Sequence, residues 1–209
     1  LELGIPFLET DKLGGKDPYS ASKAASEILI DSYINSFFRN SNVFIATARA
    51  GNVIGGGDWS ENRLIPDIIR AKIANKPLII RSPKAVRPWQ HVLEPLFGYL
   101  ILAKGLYDNP GLIIGAWNFG PENKDLKSVE DIINIGEKSG IVGEVIFEPS
   151  VLAEAKYLML NISKAKQNLN FKPKWNSEKA IEKTFHWYLK YNIESSNTNK
   201  LIESDLDIY

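Results

Sequence analysis

The chain has 209 residues, with 25 lysines and arginines against 25 aspartates and glutamates, 44% hydrophobic content and no cysteine. Balanced charge leaves no basic field for a phosphate backbone, so nucleic acid is not an expected partner. Disulfides and thiolate metal sites are excluded, a reducing compartment fits, and no apolar run reaches membrane-spanning length, so neither a metal nor a membrane is expected.

The chain opens Leu1-Glu2-Leu3-Gly4 and its one methionine is Met159, which suggests a processed or partial polypeptide. Residues 1–16 carry Gly4, Pro6, Gly14 and Gly15 and read as irregular. Asp17-Pro18 is a helix start, an N-cap followed by proline at the first helical position. Ala21, Ala24, Ala25, Ile28, Ile34 and Phe37 then keep helical spacing to about Arg39. Val43 to Ala48 is a nearly all-apolar run that suits a strand buried on both faces of a parallel sheet. The loop AGNVIGGGDW (50–59) follows it, then a helix from about Leu64 to Ala74 and a strand in PLIIRS (77–82).

RPWQHVLEPLFGYLILAKGLYDN (87–109) reads as a short extended piece feeding a long helix. GAWNFGP (115–121) and EVIFEPS (144–150) read as strands, and Ser128 with Asp131 as a capping box that opens a helix to about Lys138. A short helix is expected over 161–169, and Asn176-Ser177 caps another. After Asn192 the chain turns polar, and 193–209 reads as a mobile tail. Alternating helices and strands predict an α/β architecture.

Tyr19 and Lys23 stand four positions apart in DPYSASKAASE, so a helix puts both on one face. A nearby ammonium favours phenolate over phenol, which makes a tyrosine a competent general base for an alcohol. The spacing alone is common in helices. Small residues around the pair, a buried-type strand and a glycine-rich loop after that strand raise its weight, because open α/β sheets bind ligands at that end. GNVIGGG itself is not a dinucleotide fingerprint, since it does not follow a first strand and Leu78-Ile79-Ile80 ends in Arg81 rather than an acid. His91 and His186 are far apart and form no metal pair, and for His91 a structural hydrogen bond is favoured over a substrate contact. The five tryptophans are expected to pack the core or line a pocket.

PYSASKAASE, RAGNVIGGGDW, RLIPD, RPWQHVLEPLFGYL, WNFGP and LNISKAKQNLNFKPKW occur in that order. Together they resemble the extended short-chain dehydrogenase/reductases that act on nucleotide sugars. GGGDW and RPWQHVLEPL point, within that family, to the dehydratases of CDP-glucose. The resemblance covers about residues 10–192 and implies the C-terminal part of a Rossmann-type parallel sheet plus a smaller α/β substrate-binding domain. It divides the chain into 1–58 with about 77–120 as the partial NAD-binding part, and 59–76 with about 121–192 as the sugar-nucleotide part.

The resemblance further implies NAD as cofactor, a nucleotide-sugar substrate, a cytoplasmic enzyme and a homo-oligomer paired through helices. Tyr19 and Lys23 match the catalytic pair, which also touches the cofactor. Asn52 matches an asparagine near cofactor and substrate. Arg63 and Leu64 match a stretch that touches the nucleotide sugar, Arg87 an arginine on the diphosphate, and Asn118 and Tyr157 segments that line the substrate site. Thr10-Asp11-Lys12 looks like the family's Thr-acid-Lys triplet but stands too near Tyr19 and is read as a chance match. The family's G-x-x-G-x-x-G turn for the NAD pyrophosphate would lie before Leu1, so the isolated chain is expected not to turn over and to expose a strand edge and an apolar sheet face. Another nucleotide-sugar dehydratase, an epimerase, or a non-catalytic remnant that binds nucleotide sugar or only a partner chain stands as the alternative.

Overall fold

The structure, a computed structural model, describes residues 5–15, 17–122, 124–148, 159–193 and 197–209. Helix α1 spans Pro18–Tyr33 and ends in a π-helical turn at Ile34–Phe38. Its start is as expected: the Asp17 carboxylate accepts from the Ser20 N–H at 2.9 Å and from the Ser20 hydroxyl at 2.6 Å. Strand β1 (Ala46–Ala50) pairs in parallel with β6 (Gly115–Phe119), Ala46 opposite Gly115 and Ala50 opposite Phe119. Between them in sequence lie β2 (Val53–Ile54), α2 (Leu64–Ala74), β3 (Leu78–Ile80), β4 (Val86–Arg87), β5 (Gln90–His91) and α3 (Leu93–Asp108). After them come β7 (Lys127–Ser128), α4 (Val129–Lys138), β8 (Val145–Phe147), α5 (Ser163–Leu169), α6 (Ser177–Ile193) and α7 (Thr198–Ile208).

Strand periodicity sorts the β1–β6 pair into two faces. Ala46, Trp117 and Phe119 face α3 and α5, where Leu102, Ala165 and Phe171 complete one apolar cluster. Gly98 is needed in α3 because a Cβ there would sit 2.3 Å from the Phe119 ring. Thr47 and Arg49 face α1 instead: Arg49 binds Glu27 of that helix, Nε to Oε1 at 2.6 Å and Nη2 to Oε2 at 2.5 Å. The pair is therefore sandwiched between α1 and α3, as in a doubly wound sheet. Among the described residues β1 pairs through one edge only, and Ile28, Leu29, Tyr33 and Phe37 of α1 are exposed.

A second cluster gathers Ile65, Ile68 and Ile69 of α2, Leu78 and Ile80 of β3, Ile132 and Ile133 of α4, and Ile181, Phe185 and Tyr188 of α6. Strand β3 pairs in parallel with β8, and β4 pairs antiparallel with β7. Strand β3 joins this second cluster, and α5 packs on β6 in the first. A short apolar run carries no local mark of which strand it will pair with.

The polar tail is a correction. Residues 198–208 form α7, capped by the Asn197 side chain, which accepts from the Asn199 N–H at 2.9 Å. Leu201 is buried in the second cluster and Asp205 pairs with Lys183 at 3.5 Å. The Tyr209 ring packs edge-on against Trp175 at 5.1 Å, and the Lys174 ammonium lies over it at 4.5 Å. A helix that buries one leucine and otherwise docks through an ion pair and an aromatic ring has no apolar stripe to announce it.

Candidate active site

Helix α1 lies antiparallel to β1. Ile34 shares a cleft with Ile45 and Gly115 near the start of the strands, whereas Glu27 reaches Thr47 and Arg49 near the end of β1. The eight residues from Glu27 back to Tyr19 rise about 12 Å. The step from Arg49 forward to Asn52 is about 10 Å of extended chain. The first turn of α1 and the loop holding Asn52 both lie toward the carboxyl end of the sheet.

Lys23 lies about 40° and Tyr19 about 80° round the helix from Glu27, which faces β1. Tyr19 keeps 72% of its surface exposed, and Lys23 is also exposed. Both are open to a ligand at this end.

Asn118 is fully buried near the end of β6. Its side-chain amide donates to the carbonyls of Phe7 at 3.0 Å and Asn161 at 3.2 Å, and its backbone N–H donates to Glu9 Oε1 at 3.0 Å. Those bonds orient the amide and leave Oδ1 buried without a hydrogen-bond donor among the described residues. The Asn52 carbonyl accepts from the Gln90 N–H at 3.3 Å, which holds the loop after β1 against β5. Asn52 and Asn118 therefore lie at the same end of adjacent parallel strands.

Arg63 and Leu64 open α2 on the far side of the glycine loop. The Arg63 guanidinium pairs with Asp58 at 2.8 Å and stays largely exposed. Burial opposes ionisation of Asp58, but the Ser60 N–H and Arg63 outweigh it and hold the carboxyl below the usual range. The loop itself is seated on α6. A Cβ on Gly56 would fall 2.1 Å from the Trp187 ring, and the Tyr188 hydroxyl donates to the Asp58 carbonyl at 2.5 Å. Arg87 is half-buried on β4, where it donates to the Val86 carbonyl at 2.9 Å and stands opposite Lys127 of β7. Tyr157 lies outside the described residues. The Asp11 carboxylate accepts from the Leu8 N–H at 2.7 Å, a local turn contact that accounts for its place in Thr10-Asp11-Lys12.

Three contributors were not singled out from sequence. Glu27 and Arg49 lock α1 to β1, and a carboxylate two turns after the tyrosine is the signal that could have found the first. Gln90 joins Asn52 to β5, and only the strand pairing reveals it.

His91 is buried beside Trp175, with the Leu93 N–H donating to its Nδ1 at 3.4 Å. Burial first, and the Lys183 charge second, push its pKa down from 6.5 to about 4. Between those values the unfolded chain binds a proton that the folded chain refuses, so stability is present above pH 6.5 and is lost as pH falls toward 4. The full loss is about 3 kcal/mol. Urea unfolding at pH 7 and pH 4 should show it, and a His91→Asn protein should show a flatter profile over the same window.

The model of the NAD dependent epimerase/dehydratase family matches residues 3–108. The chain belongs to that family. A CDP-glucose 4,6-dehydratase from Salmonella typhimurium is 41% identical over 192 residues, which cover 87% of this chain and 53% of that protein. A UDP-glucose-4-epimerase structure from Stenotrophomonas maltophila, with bound NAD and formylated UDP-arabinopyranose, superposes with a TM-score of 0.77 at 17% identity, covering 91% of this chain and 60% of that one. A dTDP-glucose 4,6-dehydratase structure from Bacillus anthracis, in complex with NAD, superposes with a TM-score of 0.72 at 20% identity, covering 93% and 58%. These likenesses show a Rossmann-type α/β fold. The chain spans about half the length of the curated relatives it matches. Among the described residues no helix is long and apolar enough to cross a membrane.

Proposed function

We propose that this chain carries the tyrosine–lysine pair and the sugar-nucleotide side of a 4,6-dehydratase. Its substrate is CDP-glucose and its product the 4-keto-6-deoxy sugar nucleotide. The observation that supports this reading is that the helix start bearing Tyr19 and Lys23, the loop bearing Asn52 and the end of β6 bearing Asn118 all lie toward the carboxyl end of the β1–β6 pair. The 41% identity to a CDP-glucose 4,6-dehydratase supports the choice of base.

The described residues fit part of an NAD site. The exposed Tyr19 hydroxyl and Lys23 ammonium suit ribose hydroxyls, and Asn118 Oδ1 is a buried acceptor awaiting a donor. When bound, NAD supplies the acceptor for the C4 hydride and returns that hydride to C6. Tyr19, as phenolate, takes the C4 hydroxyl proton, and Lys23 stabilises the phenolate charge. Once C4 is a carbonyl, the C5 proton is acidic and the C6 hydroxyl leaves as water. Arg87 brings a guanidinium suited to bidentate contact with the diphosphate. Arg63, at the start of α2, brings a second one, released from Asp58 when phosphate competes.

No G-x-x-G-x-x-G turn occurs in the 209 residues, so the chain alone is expected to bind CDP-glucose without converting it. The test uses the complete enzyme, in which this chain is joined to the nucleotide-binding half of its relatives. With NAD, CDP-glucose should show the highest kcat/KM among CDP-, dTDP- and UDP-glucose. Preference for another base would overturn the CDP assignment. Inertness toward all three would overturn the enzymatic reading, and heat of binding to the chain alone would then favour a binding role.

A further inference from the structure

We infer that the Gln90 side chain is a positioning residue for the end of β6 that carries Asn118, a role that rests on the dehydratase reading above. Gln90 is 1% exposed on β5, between the buried Trp89 and His91. Its backbone N–H donates to the Asn52 carbonyl at 3.3 Å. Its side-chain Nε2 donates to the Phe119 carbonyl at 3.4 Å. Phe119 is the last residue of β6 and follows Asn118 directly. One buried residue thus ties the loop after β1 to the end of β6, the two segments that present Asn52 and Asn118.

Packing alone does not account for a glutamine here. Its Oε1 is buried with no donor among the described residues, and an unmatched buried acceptor works against folding. An apolar side chain of similar length would fill the same space without that cost. What it would lose is the tether to the Phe119 carbonyl. Asn118 directly precedes Phe119, so a shift at the end of β6 is passed to its backbone, while Phe7 and Asn161 hold its amide from the other side.

The test compares Gln90→Leu and Gln90→Met in the complete enzyme. Small displacements of positioned groups act on the reacting geometry, so kcat should fall about 10- to 100-fold, with KM for the sugar nucleotide changed less than about threefold. The melting temperature should hold within about 3 °C, since the unmatched Oε1 is gone while the Phe119 carbonyl loses its donor. A folded variant with kcat within about twofold of the unmodified enzyme overturns the role. So does a melting temperature that falls in step with activity, or a failure of both variants to fold, because each makes Gln90 structural. If the unmodified enzyme turns over no nucleoside diphosphate glucose, the dehydratase reading fails and this role fails with it.

Discussion

Tyr19→Phe is expected to lower kcat of the complete enzyme by about 10²- to 10⁴-fold, the usual worth of a positioned general base. The change removes one oxygen from a side chain that is 72% exposed at the start of α1. It touches no core contact, so the melting temperature should not move. The Asp17 cap and the Glu27–Arg49 pair that set the helix are also untouched. Steady-state kinetics beside a thermal melt would check this. An unchanged kcat would mean that the C4 proton leaves by another route, and Tyr19 would revert to an ordinary surface residue. Lys23→Met should lose activity as well, since it removes the charge that favours the phenolate.

The largest effect on stability should come from Glu94→Ala. Glu94 is 1% exposed in the first turn of α3. Its carboxylate accepts from the Trp175 N–H at 2.7 Å and from the Lys174 N–H at 3.1 Å and 3.0 Å. Burial pushes this carboxyl up, and the N–H groups of Trp175 and Lys174 oppose the push. Alanine would strand those two N–H groups, and the loss should be roughly 2–4 kcal/mol. The same corner seats Tyr209, whose phenol burial and the neighbouring Glu94 carboxylate both push upward in pKa. The 174–175 turn and the end of α7 should therefore loosen together, visible as faster amide exchange at Trp175 and Tyr209. Glu94→Gln keeps one acceptor oxygen and should cost less. If Glu94→Ala unfolds at the same urea concentration as the unmodified protein, the carboxylate is not what holds this corner.

The elements legible in the sequence were those with a local signal. Asp17-Pro18, the Ser128–Asp131 box and the apolar helix faces all act within a turn or two, and α1, α4 and α6 start where those signals stand. Pairing was not legible. Leu78-Ile79-Ile80 reads as a strand, but its partner is Val145-Ile146-Phe147, more than sixty residues on. Helix α7 was missed because one buried leucine and the Lys183–Asp205 pair replace the usual apolar stripe.

The site divided the same way. Tyr19 and Lys23 declare themselves by spacing, and Asn52 by its loop. The Glu27–Arg49 contact ties α1 to β1, and a backbone bond from Gln90 ties Asn52 to β5. The sequence marks at most the carboxylate two turns after Tyr19, not its partner, since each contact depends on two segments meeting after the chain has folded.

A dehydration across C5 and C6 and a mere inversion at C4 leave different marks on the sugar. The proposed dehydration is tested most directly by running the complete enzyme on CDP-glucose with NAD in deuterium oxide and following the sugar by NMR. The account predicts loss of the C6 hydroxymethyl signals, a new C6 methyl, and one deuteron at C5 delivered from solvent. A product that keeps its C6 hydroxyl and carries no solvent deuterium, with only the C4 configuration changed, would contradict it.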